Sequence, residues 1–163
     1  MLNKKRLVVL AVIAIAAFFA WQDVDSALSQ ARPWMNPVIT QNEYAALDWV
    51  RANTRERAVF ASGIFGGETL MGNTLREGTV GGDWAIIPEV VKRMHAIQYD
   101  FYGASAPKQA HATAVEYGAE FVWAPDRNVF AGYEWVEVNH SLFIEPYFTK
   151  VFDNGAIVYE VNS

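Results

Sequence analysis

A chain of 163 residues has room for one globular domain and an N-terminal segment, and its 52% apolar and 14% aromatic content supplies the burial that a disordered chain lacks. It holds no cysteine, which excludes disulfides, thiol nucleophiles and cysteine-ligated zinc or iron–sulfur centres. Of the 13 basic residues three stand at 4–6, and all 18 acidic residues follow residue 22; the remaining 10 basic residues leave a balance of −8, which makes nucleic acid a poor partner because such binding draws on Lys and Arg at phosphates.

Residues 7–21 (LVVLAVIAIAAFFAW) carry no charge or strong polar group, follow Lys4, Lys5 and Arg6, and precede Asp23 and Asp25. As a helix this run is about 22 Å long against a hydrocarbon core of roughly 30 Å. It reads as a single-pass anchor in contact with membrane lipid, its ends extended by snorkelling Lys5 and Arg6 and an interfacial Trp21, or as a cleaved signal peptide. The small residues Ser29 and Ala31 that cleavage needs lie about ten residues beyond the apolar run. On either reading the basic flank stays cytoplasmic and the rest is exported. A third reading makes Met1 internal to a longer polytopic protein whose last membrane helix this is. Residues 23–42, with Pro33, Asn36, Pro37 and no sustained period, read as a linker, which divides the chain into 1–22, 23–42 and 43–163.

A helix is predicted from about Glu43, with Thr40 and Glu43 as a capping box, Tyr44, Leu47, Val50 and Arg51 on one face, and Asn53-Thr54 at its end. Residues 58–62 form a short apolar run of the kind found in a strand buried on both faces. A helix then starts between Gly66 and Leu70 and stops near Gly72-Asn73, and a brief strand lies within 77–82. Pro88 opens a helix over 89–102 with Val90, Val91, Met94, Ile97 and Phe101 as its apolar stripe, ended by Gly103. Pro107 opens another that ends at Gly118, with Ala110, Ala114, Val115 and Tyr117 inward. Residues 121–124 read as a central strand leading into the loop Pro125-Asp126-Arg127-Asn128. Residues 149–161 are a hairpin turning on Asn154-Gly155. The predicted fold class is α/β: a single mixed-sheet, three-layer-like domain with a C-terminal antiparallel hairpin, preceded by one membrane helix.

The glycine-rich turns at Gly66-Gly67 and Gly81-Gly82 follow predicted strands, where open α/β sheets form a crevice at their carboxyl edge. Glu68, Arg76 and Asp83 flank them and could converge on a polar ligand such as a sugar, with Trp84 as a stacking face. The bland alternative has Arg76 pairing with an acidic neighbour to hold the loops while the glycines satisfy backbone geometry. Residues 63–67 match neither a Walker nor a dinucleotide fingerprint. His95, His111 and His140 are isolated, without His-x-x-x-His spacing, and no Gly-x-Ser-x-Gly elbow is present, so no metal, cofactor or catalytic residue is assigned. Asn139-His140-Ser141 is a formal N-glycosylation acceptor of a kind that recurs by chance. Trp123, Trp135, Phe143, Tyr147 and Phe148 make the C-terminal half aromatic, mostly as core.

The order of these features carries a resemblance: Leu47-Asp48-Trp49-Val50-Arg51-Ala52-Asn53-Thr54, a buried strand, a glycine turn, Gly72-Asn73-Thr74-Leu75-Arg76, Gly81-Gly82-Asp83, then helices, Phe121-Val122-Trp123 and the hairpin from Val151 to Tyr159. Over residues 43–161 the chain resembles the soluble extracytoplasmic domain that follows the last membrane helix of polytopic glycosyltransferases using lipid-linked sugars, of the mannosyltransferase-like and oligosaccharyltransferase-like kinds. Where the oligosaccharyltransferase subunit carries a Trp-Trp-Asp-Tyr-Gly acceptor motif, this chain reads Ser62-Gly63-Ile64-Phe65-Gly66-Gly67-Glu68. The catalytic acids of such enzymes lie on an external loop among many membrane helices, which these residues do not encode. The resemblance therefore implies an accessory, non-catalytic domain of a protein-glycosylation system, packed on a polytopic membrane region and contacting acceptor or glycan. A membrane-anchored binding or sensor module for a small polar ligand is the alternative, and an exported hydrolase using Glu68 and Asp83 is a third reading.

Overall fold

The computed structural model describes residues 4–35, 39–81 and 87–163, and the chain divides into two compact units, Met1–Pro37 and Val38–Ser163. In the first, the apolar run grows into one helix, α1, Lys4–Met35, of 32 residues. The expected linker is thus helical as far as Met35. Its 23–32 stretch lacks Gly and Pro and is rich in strong formers (Ala27, Leu28, Gln30, Ala31, Arg32), so a helix nucleated upstream propagates through it at little cost. The apolar span, Val8–Arg32, has 25 residues, about 37 Å at 1.5 Å per residue, and none of it is buried. By length and composition it is long and apolar enough to cross a membrane, although the part beyond Trp21 carries Asp23, Asp25 and Arg32.

The second unit opens with α2, Gln41–Asn53, which begins as predicted: Thr40 Oγ1 accepts the Glu43 N–H at 3.2 Å and Glu43 Oε2 accepts the Thr40 N–H at 2.6 Å. Its inward face is Glu43, Ala46, Leu47 and Val50, while Tyr44 is turned outward. Strand β1, Val59–Ala61, leads into α3, Ile64–Thr74, and β2, Glu77–Gly78. The predicted helix over 89–102 has two parts, α4, Val90–His95, and a π-helical segment, Ala96–Tyr102. Met94, Ile97 and Phe101 are buried as expected, but Val91 is 66% exposed. Helix α5, Pro107–Glu116, ends on Gly118 at φ +68°. Thr113 takes the inward place predicted for Val115, its hydroxyl donating to Asp100 O at 3.2 Å.

Strand β3, Phe121–Ala124, is followed by the short pair β4, Val129–Phe130, and β5, Trp135–Val136, a 3₁₀ turn at His140–Leu142, and the hairpin β6, Phe148–Asp153, and β7, Ile157–Val161. The main sheet has the order β2-β1-β3-β7-β6, parallel across β2, β1 and β3 and antiparallel from β3 onward. Alternate side chains face opposite layers. Phe60, Trp123 and Val158 pack with α2 and α3, whereas Ala61, Val122 and Tyr159 pack with the π segment and α5. The result is a helix–sheet–helix sandwich of mixed α/β class with β3 at its centre.

Candidate functional site

The glycine turns lie where the parallel strands end, but they serve packing. Gly66 and Gly67 fall in the first turns of α3, and a Cβ on Gly67 would lie 2.0 Å from Val80 O. A Cβ on Gly78 would meet Gly67 Cα at 2.5 Å and Ser62 Oγ at 2.7 Å. The absence of side chains lets α3 rest directly on the backbone that leaves β2, which fills the space a ligand would need. Ser62 Oγ is sealed beneath this contact with no hydrogen-bond partner among the described residues.

Arg76 stands at the other end of this unit, just before β2, and is 5% exposed. Its Nε donates to Thr54 Oγ1 at 3.0 Å, its Nη2 to Arg51 O at 3.1 Å and to Thr54 O, and its Nη1 to Thr74 O. The guanidinium thus closes off the terminal carbonyls of α2 and α3, where a cation also complements the helix dipoles. These partners are carbonyl and hydroxyl oxygens, so the expected acidic neighbour is replaced by backbone. Glu68 is exposed midway along α3. The structure therefore does not bring Arg76 to the edge where Gly66, Gly67 and Gly81 lie. Gly82, Asp83 and Trp84 lie outside the described residues.

Other groups do meet. Glu43, 3% exposed, receives Arg127 Nε at 3.0 Å and Nη2 at 2.9 Å on Oε1 while Oε2 serves the cap of α2, fastening the loop after β3 to the start of α2. The Tyr102 hydroxyl donates to Trp123 O at 3.2 Å; burial raises its pKa well above the ordinary phenol range, partly offset by the backbone of Gly63. His140 Nδ1 lies 3.1 Å from the Tyr159 hydroxyl. Burial lowers the imidazole pKa, against the opposing pull of Asp126 and Asp153 and with a smaller push from Lys150, and raises that of Tyr159 to about 12. Gln98 Oε1 accepts the successive N–H groups of Gly132, Tyr133 and Glu134 at 3.0, 3.1 and 3.3 Å, pinning the turn between β4 and β5. Apart from the cap at Thr40, none of these pairings was visible in the sequence, because each joins residues 19 to 84 positions apart without a spacing rule.

An open groove lies along α4. The groove, of about 920 Å³, is lined by Lys92, His95, Ala96 and Asp100 on the helical side and by Glu116, Tyr117 and Tyr133 opposite. Arg93 lies 5.4 Å from the Tyr117 ring centroid, Tyr99 is tilted against His95 at 4.7 Å and stacked with Tyr133 at 6.5 Å, and Tyr133 donates its hydroxyl to Val91 O at 3.1 Å. Aromatic faces beside carboxylate, ammonium and imidazole groups suit a small polar ligand held by stacking and hydrogen bonds. Among the described residues no three His, Cys, Asp or Glu side chains gather as a metal set. No protein-family model and no curated protein matches the chain.

Proposed function

We propose that the chain is a membrane-anchored α/β domain serving a glycosyltransferase system that uses lipid-linked sugars, in an accessory and non-catalytic role. The observation that supports this reading is one unburied helix long and apolar enough to cross a membrane in a chain whose second unit is a mixed α/β domain ending in an antiparallel hairpin. Lys4, Lys5 and Arg6 orient α1 with its start in the cytoplasm and the domain outside. The domain packs on a polytopic membrane region and contributes a wall to the space where donor and acceptor meet. In cells of the source organism, removal of residues 38–163 is expected to leave lipid-linked sugar accumulating and its transferred product diminished. Unchanged donor and product levels would contradict the role.

A second reading, a single-pass binding module for a small polar ligand, is favoured by the groove along α4 rather than by the glycine turns. Titration of the full chain in micelles with neutral and acidic sugars should then shift the resonances of His95 and Tyr133, and Tyr133→Ala should abolish the shift at His95. Resonances that stay still across the series would remove this reading.

A further inference from the structure

We propose that Asn139 is an acceptor for an N-linked glycan, an inference that rests on the domain lying outside the membrane. Of the nine asparagines in the chain it alone is followed two positions on by Ser or Thr. The three residues sit on the segment between β5 and β6, with Asn139 and Ser141 exposed. Their fold separates the two halves of the amide. Asn139 Oδ1 accepts the Ser141 N–H at 3.1 Å and the Ser141 hydroxyl at 2.7 Å, whereas Nδ2 makes no hydrogen bond among the described residues. The oxygen is thereby occupied, which leaves the nitrogen as the unbonded half of the amide on an exposed residue.

The residues around the acceptor hold this presentation. Leu142 is 4% exposed within the core, and His140 is drawn inward to the Tyr159 hydroxyl at 3.1 Å. The middle residue of the triplet is therefore the anchor, and the two that the modification reads lie on the solvent side. A glycan on Nδ2 displaces no core contact and no ladder hydrogen bond, since Asn139 belongs to no strand.

The transfer is redox-neutral. The Asn139 Nδ2 bond forms to the anomeric carbon of a sugar carried on a lipid diphosphate. The anomeric C–O bond to the diphosphate breaks with its electron pair leaving on the lipid diphosphate, and one amide proton passes to a base of the transferring enzyme. The co-substrate is a lipid-diphosphate-linked oligosaccharide, supplied with its transferase by the host membrane.

The test uses the full chain, α1 included, in a cell that N-glycosylates exported proteins, with a short acceptor peptide appended after Ser163 as a reporter of which side the domain occupies. Peptide mass spectrometry is expected to find glycan on both the appended peptide and Asn139. Asn139→Gln and Ser141→Ala each lose one glycan, and Ser141→Thr retains it. A glycosylated appended peptide beside a bare Asn139 would overturn the proposal while leaving the topology standing. With both bare, the topology fails and the proposal with it.

Discussion

Arg76 shows how a charged side chain is consumed by architecture. Its guanidinium satisfies carbonyls at the ends of two helices that have no partner within the helix, and it does so at 5% exposure, where an unpaired acceptor is expensive. Arg76→Met should lower stability in urea unfolding by about 3 kcal/mol, since several buried carbonyls lose their donor at once. Glu68→Gln, on an exposed position, should change it by less than about 0.5 kcal/mol. Equal effects would refute the assignment. The sequence marked Arg76 as important but could not name its role, because backbone carbonyls at positions 51, 54 and 74 leave no side-chain signature. His140 supplies a pH dependence of defined sign. Its folded pKa is depressed below 6.5, so the unfolded chain binds more protons just below that pH. Its contribution is complete above pH 6.5 and is lost as pH falls from there toward the folded value. The slope measured over that window should flatten in His140→Gln, and an unaltered slope would assign the dependence to other groups.

Helix α3 carries the argument from residues to elements. It holds glycines of opposite character: at Gly67 a Cβ would strike Val80 O at 2.0 Å, whereas at Gly72 nothing lies within 4 Å. Gly67→Ala must push α3 and the backbone that leaves β2 apart and should destabilise by about 3 kcal/mol or more. Gly72→Ala should stabilise by about 0.5–1 kcal/mol, through helix propensity and a less entropic unfolded chain. Thermal unfolding of the two variants decides the matter, and shifts of the same sign would contradict this packing. Elements governed by local rules were legible in advance: the capping box at Thr40 and Glu43, Pro107 at the start of α5, and the hairpin on Asn154-Gly155 with φ +85° at the glycine. The π segment, the β4–β5 pair and the inward Thr113 were not. Each depends on a distant partner: Gln98 reaching the 132–134 turn, or Thr113 reaching Asp100. Periodicity counts apolar residues and is blind to such bonds. For the same reason the crevice at the glycine turns was expected from chain order, and the close backbone approach that fills it was not.

At the scale of the whole molecule, the chain carries a helix whose candidate membrane span is unburied and a sandwich with a buried core on each face of its sheet. The helix runs on to Met35, and its Val8–Arg32 stretch is long and apolar enough by length and composition to cross a hydrocarbon core of roughly 30 Å. An exported, membrane-held domain is the common ground of the accessory role and the glycan acceptor at Asn139, so its topology is the central claim. The absence of cysteine makes the measurement direct. Ser105→Cys places a single thiol on an exposed position of the domain, to be labelled in intact cells with a membrane-impermeant maleimide and followed through a carbonate wash. The account predicts labelling without lysis and retention of the full-length chain in the membrane pellet. Labelling only after lysis, or a chain released to the soluble fraction, would contradict it.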